Sequence, residues 1–373
     1  MKKQLTAAVV LAVTLPTLSI AAGPTLYGKI HMAIESNDNH SSGTASYDEL
    51  SMATRGSRIG VKGSEDLGNG LKVGYLIEWQ VDMDGDNPSE SLKTRNRAIT
   101  LSGNWGTALA GQWDTPMKVL GSKLAIFRDQ AGDIRNLGTS SVTVTSSKIA
   151  TIDQRAKNVI AYVTPNMNGF SSTIAYVFDA GTGQTTGSGD NSDNNAWSLN
   201  ALYNNGPIFL GAGYVTYNSD GRTSGPNVDD ATTWRIGGAY KFGDFKVIAD
   251  YTDMESANFT KNFDPSIWKI GMTYTMGNNT IKFHYAERDD SGLKSSSCTG
   301  GLATSKCKDG ADMWVIGLDH KLSKRTKVYA VYAKTDNDDD SRSTSWKNTG
   351  GEGAAPTAGN NADTFALGIQ HKF

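Results

Sequence analysis

Beyond residue 22 the chain is a succession of short segments in which every second residue is apolar. At the end, Phe365, Leu367, Ile369, His371 and Phe373 share one parity, and Ala366, Gly368, Gln370 and Lys372 share the other. A period of two is a β-strand with one apolar face. Leu26, Ile30, Met32 and Ile34 alternate in the same way with Tyr27, Lys29, His31 and Glu35, and Val73, Tyr75, Ile77 and Trp79 with Lys72, Gly74, Leu76 and Glu78. Such segments recur near residues 25–35, 56–64, 70–82, 95–103, 106–114, 156–164, 170–179, 195–204, 207–217, 232–241, 244–254, 266–276, 279–288, 311–320, 325–335 and 363–373. That is roughly 16 strands, an even number, as closure of a bacterial membrane barrel requires.

The connections narrow the choice further. One set is short and turn-like: Gly63 to Gly70, Gly103 to Gly106, Pro165 to Gly169, Asn204 to Pro207, Gly243-Asp244, Gly277 to Asn279 and Ser323 to Arg325. The other is long and polar: 36–55, 83–94, 115–155, 180–194, 218–231, 255–265, 289–310 and 336–362. Short and long alternate strictly. A soluble sandwich has no reason to obey this rule, whereas a barrel with short periplasmic turns and long external loops does. The expected fold is therefore all-β, a 16-stranded antiparallel transmembrane barrel occupying residues 23–373.

The N-terminus fits an exported protein. Lys2 and Lys3 precede an uncharged apolar stretch from Leu5 to Ile20, and small residues follow at Ala21 and Ala22. This is the layout of a signal peptide over residues 1–22, cleaved after Ala21 or Ala22. The run is shorter than the ~20 residues a spanning helix needs. No later apolar stretch is long enough to span as a helix. The 36 basic and 38 acidic side chains nearly balance, which leaves no nucleic-acid footprint. Cys298 and Cys307, close together in a Ser/Gly/Lys-rich loop, read as one disulfide in an oxidising compartment. A metal site would need further ligands, and no His or other Cys lies near them. The acidic run Asp336-Asn337-Asp338-Asp339-Asp340 could hold divalent ions between lipopolysaccharide phosphates; a solvated charge run is the simpler reading.

Several stretches resemble the trimeric general porins of Gram-negative bacteria, particularly those of neisserial and related outer membranes. They are Leu26-Tyr27-Gly28, the run from Ser57 to Lys72 (SRIGVKGSEDLGNGLK), Gly111-Gln112-Trp113-Asp114, Asn158-Val159-Ile160-Ala161-Tyr162 and the terminal Phe373. The resemblance implies a homotrimer in contact with outer-membrane lipid and lipopolysaccharide, with a third loop folded inward to narrow a pore for ions and small hydrophilic solutes. It also implies that Arg58, Arg95 and Arg155 are wall arginines facing the constriction. Two features depart from the common members: the rather apolar Met117 to Leu124 segment, and the Cys298/Cys307 pair.

Parity adds to this reading. Arg58 is opposite in parity to Ile59 and Val61 and should face the lumen, as should Glu78; Arg97 shares the parity of Arg95. The third loop offers Arg128, Asp129, Asp133 and Arg135, of mixed sign, together with Met117, Val119, Leu120, Leu124, Ile126 and Phe127 to anchor it against the wall. Charges at the narrowest ring set selectivity, so an arginine wall facing an acidic loop would impose a transverse field. The same arginines could instead merely brace the wall through ion pairs.

Enzymatic readings have little support. His31, His40, His284, His320 and His371 are scattered over separate segments, no nucleophile-elbow motif occurs, and no cofactor motif is present. The alternative is a substrate-specific channel with an aromatic track along the pore. Most Tyr and Trp, such as Tyr75 and Trp79, instead fall on outward parities and read as interface girdles.

Overall fold

The computed structural model describes residues 23–85, 92–139, 152–178, 195–219, 229–296, 298, 302, 304–346 and 354–373. The signal segment 1–22 and the loop 180–194 lie outside the described residues. The strands are Thr25–Asp38 (β1), Asp48–Thr54 (β2), Arg58–Gly68 (β3), Leu71–Gln80 (β4), Lys93–Gly103 (β5), Gly106–Asp114 (β6), Arg155–Val163 (β7), Phe170–Val177 (β8) and Ala196–Asn205 (β9). They continue as Ile208–Tyr217 (β10), Ala231–Phe242 (β11), Phe245–Glu255 (β12), Ser266–Met276 (β13), Asn279–Arg288 (β14), Ala311–Lys321 (β15), Thr326–Asn337 (β16) and Ala362–Lys372 (β17).

Each strand pairs antiparallel with its chain neighbours, and β1 pairs β17 from Lys29↔Lys372 to Asp38↔Asp363, closing the sheet on itself. β2 and β3 are two halves of one stave, because both pair with β1: Met32 lies opposite Thr54, and Lys29 opposite Arg58. The barrel therefore has sixteen staves, one of them broken at Arg55-Gly56-Ser57. That stave starts at Asp48, earlier than the sequence pattern suggests, because the break shifts the parity. Closure removes every free strand edge, which the bilayer interior does not tolerate.

The outward parity is apolar, with Ile34, Ile99, Leu210, Ile236, Ile270, Leu318 and Leu367 all exposed. Aromatic pairs bound this belt at both ends. Trp234–Tyr251, Trp268–Tyr285 and Trp314–Tyr332 lie toward the long loops; Phe170–Tyr203, Phe242–Phe245 and Phe245–Tyr274 lie toward the short turns. Amphipathic rings favour the two membrane–water interfaces. The terminal Phe373 is on this outward, short-turn side. Its backbone exchanges hydrogen bonds with Gly28 at 3.0 and 3.2 Å. Its ring covers Gly28 so closely that a Cβ there would lie 2.3 Å from it.

Candidate constriction site

The third long loop begins with a short helix, Pro116–Leu124 (α1). Thr115 caps it by accepting a hydrogen bond from the Lys118 N–H at 3.3 Å, and Pro116 needs no N–H partner in the first turn. Met117, Leu120 and Leu124 recur at helical spacing and are almost completely buried. Burying each stabilises by about 1.5–3 kcal/mol.

Their receptor is a set of glycines on inward parities of the opposite wall. A Cβ on Gly211 would sit 2.4 Å from Leu120, on Gly237 2.7 Å from Leu124, on Gly271 2.4 Å from Ile126, and on Gly317 2.7 Å from Phe127. The loop thus crosses β10, β11, β13 and β15 in order, and only a wall without side chains leaves room for it. Wall cations then take up its backbone carbonyls. Lys269 donates to the Leu124 carbonyl at 2.9 Å, and Arg288 to the Leu137 carbonyl at 2.9 Å. These glycines were legible as inward-parity positions, but period-two reading attends to the apolar face and passes over them.

The uncovered wall, from β1 to β7, carries the charges. Glu78 receives Arg95 Nε at 2.5 Å, Arg58 Nε at 3.3 Å and the Tyr27 hydroxyl at 3.2 Å. Arg155 Nε donates to Asn96 Oδ1 at 2.7 Å and lies 2.9 Å from Asp114. Lys118 lies 3.6 Å from Asp114 and 3.4 Å from Asp153. Arg135 donates to Asp153 and to Asp129, each at 2.9 Å, and to Asp133 Oδ1 at 3.0 Å. Lys29 reaches Asp129 at 2.9 Å and stands directly opposite Arg58 in the β1–β3 register. The side chains form a charged circuit in which wall and loop each carry both signs, with Arg58, Arg95, Arg155, Glu78 and Asp114 on the wall and Arg135, Lys118, Asp129, Asp133 and Asp153 on the loop.

Asp129 has a left-handed backbone (φ 57°), a conformation that Asp tolerates better than most residues. Burial pushes its carboxyl up, but Lys29, Arg135 and Arg128 outweigh burial and hold it well below the usual range. Asp133 and Asp153 follow the same logic: burial raises each, Arg135 dominates the opposing effect at Asp133, and Lys118 and Arg135 do so at Asp153.

Two expectations need correcting. Arg97 does not share the face of Arg95. The β4–β5 register shifts between Ile77 and Trp79, so Arg97 opposes the outward Ile77 and its guanidinium lies over Trp79, 5.5 Å from the ring centroid. An extra residue in one strand reverses parity beyond it. Asp133 does not face the wall arginines across water. It is buried, bonded to Arg135 and to the Asp129 N–H, and braces the loop from within. Lys29, Asp114, Lys118 and Asp153 complete the circuit and were not singled out from the sequence. Parity alone marked Lys29, whereas the other three depend on how the loop returns to β7.

The histidines form no nucleophile site among the described residues. His31 bonds Tyr329 at 2.9 Å, His284 meets Phe127 edge to face, His320 bonds Asn279, His371 bonds Thr326, and His40 lies between Asp38 and Asp363. Cys298 and Cys307 are joined by a disulfide in the seventh loop.

A sequence profile described as "Gram-negative porin" matches residues 6–340. Outer membrane porin protein 32 of Delftia acidovorans is 26% identical over the whole of both chains. Major outer membrane protein P.IB of Neisseria lactamica is 27% identical, again over the whole of both. Among solved structures, the anion-selective porin from Comamonas acidovorans superposes with a TM-score of 0.73 at 24% identity, covering 94% of this chain and 99% of its own. The trimer form of the Vibrio cholerae outer membrane protein OmpT gives 0.62 at 16% identity, covering 94% and 99%.

Proposed function

The chain belongs to the Gram-negative porin family and is an outer-membrane channel for passive diffusion of ions and small hydrophilic solutes; on that premise we propose that its pore prefers anions and that Arg58, Arg95 and Arg155 set the preference. The observation that carries this is the imbalance of the charged circuit. The loop carboxylates are neutralised by cations of their own loop, Arg128 and Arg135, and by Lys29, while one carboxylate, Glu78, is shared by Arg58 and Arg95. A surplus of fixed positive charge remains beside the water, where low-dielectric walls focus its field. The anion selectivity of the Comamonas porin agrees in sign.

Reversal potential under a salt gradient tests this. Wild-type channels should favour anions, and Arg58→Gln or Arg155→Gln should move the potential toward cations. Asp339→Asn, in an exposed pair with Lys308 on a distal loop, should do much less. Equal shifts from the distal and wall variants would mean that total charge, not the constriction, sets selectivity.

Within the same reading the third loop narrows the pore, residues 1–22 are an export signal, the protein is a homotrimer, and its outward face meets lipid and lipopolysaccharide. N-terminal sequencing of the membrane-extracted protein would test the signal: residue 22 or 23 should come first. Family membership speaks for a channel and not an enzyme. Among the described residues no aromatic track lines the pore, so nothing there favours the substrate-specific alternative.

A further inference from the structure

Beyond the constriction, which holds Lys29 through Asp129, lies a further group of cations. At the short-turn end, on inward parities, lysine stands directly opposite lysine in three places: Lys241↔Lys246 in β11–β12, Lys321↔Lys327 in β15–β16 and Lys29↔Lys372 at the β1–β17 closure. Their strand neighbours on the same face, Ala239, Ile248, Tyr329 and Ala366, are buried, which fixes the face as the inner one. Like charges directly opposite in an antiparallel pair are destabilising. One such pair could be incidental; three around one mouth need a compensating charge. One carboxylate at this level, Asp319, is already shared by Lys282 at 2.8 Å and Lys327 at 2.7 Å. The β3–β4 hairpin, by contrast, has a matched pair, Asp66↔Lys72.

The other end has the opposite sign. There, on the outward parity shared with the exposed Ile34, Leu50, Ile316 and Phe365, Asp38 stands opposite both Asp363 and Asp48, and Asp312 opposite both Glu287 and Asp336. The near-neutral total charge therefore hides a local separation, with acidic pairs on the outward face of the external end and lysine pairs on the inward face of the periplasmic mouth.

We infer that the periplasmic mouth is a binding band for multivalent oxyanions, separate from the constriction. Lys29 and Lys327 are engaged by Asp129 and Asp319, but Lys241, Lys246, Lys321 and Lys372 can close on one highly charged solute from different sides of the mouth. A monovalent ion meets only one or two of them. The inference rests on the barrel being an open pore, and it stands apart from the selectivity assigned to the wall arginines.

The test is one-sided block. In single channels of known orientation, tripolyphosphate added to either chamber should reduce chloride current. Half-block from the periplasmic face should need about tenfold less than from the external face, because the lysine band gathers the anion at that mouth before it reaches the constriction. The difference should shrink as salt rises. The triple variant Lys241→Gln, Lys246→Gln, Lys321→Gln should abolish it, whereas Lys334→Gln on the outer rim should preserve it. Equal block from both faces of the wild type, or a triple variant that keeps its sidedness, overturns the inference. Should the triple variant fail to insert, the wild-type sidedness decides alone. Wild-type channels without anion preference would sink the reading of the wall arginines, yet one-sided block would still stand.

Discussion

At the scale of single residues, the site depends on side chains whose direction is set by local backbone irregularity. Arg95 and Arg97 are two apart in sequence yet lie on opposite faces, because the register shift falls between Ile77 and Trp79. Arg97→Gln should therefore leave the reversal potential nearly unchanged, whereas Arg58→Gln should not. Measuring both in one salt gradient checks the shift itself. The glycines carry a second prediction. Gly211→Leu places a side chain where Leu120 already packs, at 2.4 Å from the added Cβ. Overpacking of this kind costs about 1–3 kcal/mol and should lift α1 off the wall into the lumen. Single-channel conductance should fall; an unchanged or larger conductance would show that the loop does not border the water path.

At the scale of elements, the third loop is held by apolar burial on one side and ion pairs on the other, and the two respond differently to acid. Asp129, Asp133 and Asp153 have carboxyls held below their ordinary values. A depressed folded value gives stability that is complete above the unfolded pKa of about 3.9 and is lost as pH falls through the folded value. Conductance should stay steady from neutral pH down to about 4 and become noisy or larger only below it. Loosening near pH 6 would mean that some other group holds the loop. The seventh loop is independent of this. Its disulfide closes a span with a separation of nine residues, which stabilises by at most ~2–3 kcal/mol and acts locally. Cys298→Ser should insert normally and conduct as wild type, checked by bilayer recording and by heat-sensitive migration of the folded barrel.

At the scale of the whole molecule, closure and sidedness decide what the pore can do. The first and last strands meet at one seam, where Phe373 exchanges hydrogen bonds with Gly28, and β1 starts and β17 ends on the short-turn side. A homotrimer predicts conductance that appears in three equal steps, and a native mass three times that of the chain in mild detergent. Single steps together with a monomer mass would remove it. Selectivity should also weaken as salt rises, since screening shortens to about 10 Å at 0.1 M and less above it.

The sequence by itself determined the barrel: its period-two segments and the alternation of short and long connections admit little else. Parity was enough to place Arg58 and Glu78 on the inward face, because within an unbroken strand it is a fixed geometric rule. Tertiary structure alone decided what lies past an irregularity or inside a loop. The break at Arg55-Gly56-Ser57, where Gly56 takes a left-handed backbone, and the shift beside Glu78, which no residue type announces, each reverse a face. Asp133 turned inward because burial against Arg135 outweighed exposure to the pore, a balance between a loop and its own side chains. The path of the third loop depended on glycines from four separate strands meeting Leu120, Leu124, Ile126 and Phe127, and that match exists only once the sheet has closed.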